Sequence, residues 1–83
     1  MEATEELIDI MNHVAYITSI DKYGFVVLRE DELMLDMERN GLITVFRPVP
    51  LPGSYPLEKG YFNVKITPAG EAFVAANPMV WTL

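Results

Sequence analysis

Apolar residues recur at helical spacing in the first part of the chain. They are separated by three or four positions, as on one face of an amphipathic helix: Leu7, Met11, Val14 and Thr18. Thr4 can cap the start of this helix, with Glu5 and Glu6 favourably placed in its first turn. Further apolar residues widen the stripe, so the pattern predicts either a central core helix or one that also packs against a second subunit.

The middle of the chain changes between strand-like and helix-like patterns. Residues 19–24 are typical of a turn, and residues 25–28 favour a short strand because adjacent valines prefer the pleated backbone. A second helix is predicted over residues 30–40. It should end at Asn40-Gly41, where glycine can adopt the left-handed conformation that stops a helix. Its predicted core stripe comprises Leu33, Met34 and Met37.

The second half of the chain predicts two strands, a loop and a closing helix. The strands span residues 42–47 and 61–66, and the loop between them contains four prolines. Thr67 and Pro68 form a helix start, with threonine as N-cap and proline at the first helical position. This helix should end near Asn77-Pro78. The apolar tail beyond it either folds back on the core or crosses to a second copy, through candidate dimer contacts at Met79, Trp81 and Leu83.

Two stretches carry a family resemblance. Residues 37–43 (MERNGLI) resemble the end of a winged-helix recognition helix, and residues 61–70 (YFNVKITPAG) resemble the returning wing strand and the start of the closing helix. Bacterial regulators of the MarR and PadR types carry both. The resemblance implies one α+β domain over residues 1–83, with about three helices and a two- to three-stranded antiparallel wing sheet. Residues 19–28 leave room for one helical turn at most, so the sequence leaves open whether a short helix completes a helix-turn-helix.

The charge distribution argues against a nucleic-acid partner. The net charge is −6, and residues 1–13 contain four acids and no base. Residues 29–40 add a net −3, whereas residues 42–67 carry +2. A phosphate backbone would be repelled by the first two segments and only weakly attracted by the third.

The leading hypothesis is a non-catalytic protein-interaction module on a winged-helix-like scaffold. In one variant it is an acidic inhibitor that occupies a partner's nucleic-acid groove, as viral inhibitors do. An apolar anchor with an acidic rim suits protein docking. The candidate contacts, on the second helix and the proline-rich loop, are Asp31, Glu32, Leu35, Glu38, Leu51 and Tyr55.

The alternative is a dimeric DNA-binding transcriptional regulator, as the resemblance implies. It would dimerise through the first helix or the tail and grip DNA mainly through a basic wing. The candidate DNA contacts are Arg29, Arg39, Arg47, Lys59 and Lys65.

Catalysis, metals and cofactors are not expected. His13 is the only histidine, there is no cysteine, and nothing marks a positioned nucleophile. The acids at residues 30–32 and 36 lack the spacing of a calcium loop. The N-terminus does not resemble a secretory signal and no apolar run is long enough for a membrane span, so we expect a cytoplasmic protein.

Overall fold

The computed structural model describes residues 3–47 and 52–79, which form three α-helices and three β-strands. Their order along the chain is α1 (Glu5–Ile20), β1 (Val26–Arg29), α2 (Glu32–Arg39), β2 (Ile43–Phe46), β3 (Tyr61–Ile66) and α3 (Pro68–Ala76). Residues 21–25 form bends and extended backbone, with no helical turn. The described chain therefore lacks the additional helix that would complete a helix-turn-helix before α2.

The strands form one antiparallel sheet in the order β1–β3–β2, so the last strand of the chain lies in the centre. Val64 of β3 pairs with Val26 of β1 on one side and with Val45 of β2 on the other. Because side chains alternate along strands, these three share one face. The helices cover that face, and the buried core comprises Leu7, Met11, Val14, Val26, Leu28, Met34, Met37, Leu42, Ile43 and Val64. The chain is a small α+β domain with three helices and a three-stranded antiparallel sheet, as predicted.

Three predicted details require correction around α1 and α2. Helix α1 continues through Ile20, where a turn was predicted. Helix α2 starts at Glu32 rather than residue 30, because Asp31 is its N-cap and accepts a 2.8 Å hydrogen bond from the Met34 N–H. The predicted outward anchor Leu35 is half-buried and packs against the core.

The two stretches that carry the family resemblance contact each other. Gly41 adopts a φ of +74° after α2, and the next residue, Leu42, donates to the carbonyl of Met37 at 2.9 Å, as in a Schellman cap. Thr67 binds this turn twice, donating from its N–H to the Leu42 carbonyl at 3.1 Å and from its hydroxyl to the Gly41 carbonyl at 2.5 Å. These two hydrogen bonds therefore attach the start of α3 to the turn that ends α2.

Helix α3 can approach this turn closely because it carries a glycine there. Gly70 is buried and donates its N–H to the Thr67 hydroxyl at 3.0 Å. A Cβ at Gly70 would collide with the Leu42 carbonyl oxygen and lie 2.8 Å from Cγ1 of Ile66. The position therefore excludes any larger residue in the observed geometry.

None of the helices in residues 3–47 and 52–79 combines the length and the apolar character required to cross a membrane.

Candidate functional site

Two predicted contact residues bind each other. Arg47, a candidate DNA contact, donates two hydrogen bonds to the carboxylate of Glu38, a candidate protein contact, at 2.5 and 2.7 Å. This bidentate pair lowers the pKa of Glu38 and raises that of Arg47, since each charge stabilises the other. Arg47 also lies over the Phe62 ring, 5.6 Å from its centroid. The two charges therefore compensate each other at the surface, where the side chains of Arg47 and Glu38 keep 38% and 31% of their area exposed.

Two more of the predicted DNA-contacting cations are engaged within the protein. Arg39 donates to Asp36 at 2.7 Å, and the Lys65 ammonium lies 4.4 Å from the centroid of the Phe25 ring. Arg29 and Lys59 are exposed and form no ion pair within the described residues. Three of the five predicted cations therefore already have an internal partner.

The loop before β3 folds back over the outer face of the sheet. Asn63 points to this face and is 6% exposed, although its neighbours in the sheet register are Val27 and Phe46. Its side-chain oxygen accepts from the Tyr55 N–H at 3.0 Å, and its amide nitrogen donates to the Tyr55 carbonyl at 3.0 Å. The Asn63 amide therefore binds both backbone polar groups of Tyr55, as a residue of a paired strand does.

A second attachment joins the same loop to the segment between α1 and β1. The Tyr55 hydroxyl donates to Asp21, whose other oxygen accepts from the backbone N–H groups of Tyr23 at 3.1 Å and Phe25 at 2.9 Å. These bonds, that from Tyr55 foremost, lower the pKa of Asp21, and the carboxylate raises the pKa of Tyr55. Gly53 packs so closely on the Tyr23 ring that a Cβ would collide with it.

The loop before β3, which we call the wing, is therefore attached at two points, to the sheet at Asn63 and to the α1–β1 segment at Asp21. Tyr55, a predicted protein contact, keeps 46% of its surface exposed, but its backbone and hydroxyl are bound within the fold. The predicted contacts Leu51, Trp81 and Leu83 lie outside the described residues. Met79, the remaining predicted dimer contact, is half-buried.

An acidic groove runs between α1 and the start of α2. It is open, has a volume of about 570 Å³, and is lined by Glu6, Asp9, Ile10, His13, Asp31, Glu32 and Leu33. The residues from α1 are spaced i, i+3, i+4 and i+7, which places them on one face of that helix. Four carboxylates therefore surround an apolar floor, and two of them, Asp31 and Glu32, were predicted contacts.

A smaller hollow adjoins the acidic groove. It has a volume of about 170 Å³ and shares Ile10, Asp31 and Leu33 with the groove. Its other lining residues, Leu28, Arg29, Met34 and Met37, come from β1 and α2. The apolar floor of the groove thus continues inwards between the two helices and the sheet.

Comparisons with protein-family models, with curated proteins and with solved structures find no match. The contacts and charges of this chain are therefore the evidence for its function.

The acidic groove lacks the features of a metal site. Within the described residues, no group of three or more histidine, aspartate or glutamate side chains is arranged to hold a metal ion. His13 lies at the edge of the groove and is exposed.

The stripe of α1 that was predicted to serve the core or a second subunit faces the core, and the exposed apolar residues lie on the opposite side of the helix. Tyr16 and Ile20 are each 62% exposed and lie one helical turn apart, and Tyr23 follows in the next segment with 51% exposure. Leu7, Met11 and Val14 are buried within the domain itself. A homodimer through the exposed end of α1 stays a prediction.

Sequence reasoning missed both the acidic groove and the folded-back wing. The acidity of residues 1–13 and 29–40 was visible, but not that Asp9 and Glu32 line one groove. Asn63 was an available signal for the wing, because an amide among strand residues needs hydrogen-bond partners when it is buried.

Proposed function

We propose that this chain is a non-catalytic protein-interaction module that acts on a protein partner inside the cell. The observation that carries the proposal is that three of the five candidate DNA-contacting cations already have a partner within the domain, two of them a carboxylate and one an aromatic ring. Arg47, Arg39 and Lys65 are bound to Glu38, Asp36 and the Phe25 ring. A winged helix that reads DNA would instead present such groups to phosphates and base edges.

The position of the wing supports the same proposal. A loop that is hydrogen-bonded to Asn63 and Asp21 lies along the domain and is not free to enter a groove of DNA. The acidic groove would meanwhile repel a phosphate backbone at another part of the surface. The surface favours a partner that is basic, and in the inhibitor variant this is a partner surface that otherwise binds nucleic acid.

A titration with mixed-sequence duplex DNA tests the proposal. Wild-type protein is added to a fluorescein-labelled duplex at about 50 mM salt and again at about 200 mM, because counterion release makes non-specific binding strongest at low salt. We expect no change in anisotropy at either salt concentration. Binding at low salt that collapses at high salt would overturn the proposed function in favour of the DNA-binding regulator.

Two variants sharpen this experiment. Glu38→Gln releases Arg47 from its ion pair, and Glu71→Gln removes the same charge from an exposed position on α3. A DNA-binding wing should gain affinity from the first substitution and little from the second. Under the proposed function neither variant binds the duplex.

A further inference from the structure

We infer that the acidic groove, with its adjoining hollow, binds a basic amphipathic segment of a partner protein and takes one large apolar side chain of that segment into the hollow. This inference rests on the proposed function, because it assigns the site at which the partner docks. Three features of the groove support it: an apolar floor, a negatively charged rim and a surface that repels other kinds of occupant.

The floor and the hollow supply an apolar anchor point. Ile10 and Leu33 are half-buried at the bottom of the acidic groove, and Leu28, Met34 and Met37 line the hollow behind them. An apolar cavity of about 150 Å³ can hold a benzene ring. The hollow, at about 170 Å³, therefore has room for one leucine, methionine or phenylalanine side chain.

The rim carries charge that the protein does not compensate. Glu6, Asp9 and Glu32 form no ion pair within the described residues, and Asp31 uses one oxygen to cap α2. The positive ends of the α1 and α2 dipoles, near Glu6 and Asp31, each amount to about half a charge. The four carboxylates of the rim carry more negative charge than the helix dipoles and Arg29 compensate. Arg29 is the one cation among the residues that line the hollow.

This arrangement selects one kind of occupant. Nucleic acid and anionic membrane surfaces would be repelled by the rim, and a second copy of a chain at −6 would add further negative charge. A lysine- or arginine-rich segment complements the rim, which accelerates association and fixes orientation. An open groove between two helices suits an amphipathic helix whose apolar face lies on the floor.

The test uses a designed probe. A fluorescein-labelled peptide carries leucines at i, i+3, i+4 and i+7 of a helix and lysines at the flanking positions. One control peptide replaces the lysines with glutamates, and another keeps the lysines but replaces the leucines with serines. Each peptide is titrated with the protein and followed by anisotropy, and the lysine–leucine peptide is also followed through the protein's backbone amide signals by NMR.

Two charge-matched protein variants locate the site. Asp9→Lys with Glu32→Lys reverses two charges on the rim, and Glu58→Lys with Glu71→Lys reverses two exposed charges outside the acidic groove. We expect the lysine–leucine peptide to bind wild type and to shift the amides of Ile10 and Leu33. The rim variant should bind on the order of tenfold more weakly, and the outer variant should change affinity by about twofold at most.

Three results would overturn the inference. These are equal weakening by the two double variants, equal binding of the serine control peptide, or no binding of the lysine–leucine peptide at about 1 mM protein. Circular dichroism of both variants excludes a loss of folding as the cause. If any of these three results occurs while the duplex DNA titration stays negative, the docking site lies elsewhere on the domain. DNA binding by the wild-type protein would overturn the proposed function itself.

Discussion

The buried amide of Asn63 yields a prediction whose sign depends on pH. Asn63→Asp keeps an acceptor for the Tyr55 N–H but removes the donor to the Tyr55 carbonyl. At neutral pH the new carboxylate faces that carbonyl at a site that is 6% exposed. A lost hydrogen bond costs about 1 kcal/mol and a buried unpaired charged group about 2 kcal/mol more, so the variant should lose about 3 kcal/mol.

This loss is large for so small a domain. At about 0.05–0.15 kcal/mol per residue, 83 residues correspond to roughly 4–12 kcal/mol of total stability. A loss of about 3 kcal/mol should lower the melting temperature by roughly 12–24 °C, at about 4–8 °C per kcal/mol. The variant should therefore remain folded at room temperature and be measurable by urea unfolding.

Acid should restore much of the stability. A protonated carboxyl has both a donor and an acceptor, and can repeat the paired bonds of the amide. Burial and the facing carbonyl raise its pKa in the folded state above the ordinary value of about 3.9. The folded state then binds more protons than the unfolded state, so stability falls as pH rises from about 4 through the folded pKa.

The assay is urea unfolding followed by circular dichroism at a series of pH values from about 4 to 8. The quantity compared is the free energy of unfolding of the variant minus that of wild type, which removes the pH dependence of the native carboxylates. Asn63→Ala serves as the control, because it loses both bonds without adding an ionisable group. If the deficits of Asn63→Asp and Asn63→Ala vary with pH in the same way, the paired bonds between Asn63 and Tyr55 are refuted.

Two further predictions concern contacts outside the acidic groove. Gly70→Ala should destabilise the domain by about 2–4 kcal/mol in urea unfolding, because its Cβ would meet the Leu42 carbonyl and Ile66, although alanine ordinarily stabilises a helix by about 1 kcal/mol relative to glycine. Tyr55→Phe should raise the pKa of Asp21 towards its ordinary value, followed by NMR titration of the carboxyl carbon, and should lessen the stability lost as pH falls through that pKa.

Each of these predictions has a matched control. Ala72→Gly on the exposed side of α3 tests helix propensity alone and should cost about 1 kcal/mol. A Gly70→Ala variant as stable as wild type would show that α3 does not contact the turn at Leu42. Tyr61→Phe removes an exposed hydroxyl from β3 and should leave the pKa of Asp21 in place. An unchanged Asp21 pKa in Tyr55→Phe would contradict the bond between the two side chains.

The boundaries of the helices were predictable where one residue determines the local backbone conformation. Thr4, Thr67 with Pro68, and Gly41 marked the ends of helices correctly, because capping depends on local chemistry. The start of α2 was predicted two residues early. The acids at residues 30–32 resemble a first helical turn, but the Glu30 N–H donates to Gly60 at 2.8 Å and keeps that residue beside the sheet.

The candidate site was less predictable, because it depends on contacts between distant residues. Glu38 and Arg47 were interpreted as separate contact residues, but the side chain of Glu38 on α2 binds that of Arg47, which directly follows β2. The outward position assigned to Leu35 followed from helical angle alone, whereas the core extends around α2 far enough to cover it. Periodicity gives the face of a helix but not how widely its neighbours cover that face.

The strand order has a consequence for how the chain folds. Both β1 and β2 are edge strands that pair only with β3, and β3 begins at Tyr61. During synthesis the first 47 residues therefore contain two strands that have no hydrogen-bonded neighbour and two helices without a sheet to cover. Unpaired strand edges are prone to aggregation. The nascent chain should thus remain vulnerable at least until β3 has been synthesised and can pair with both strands.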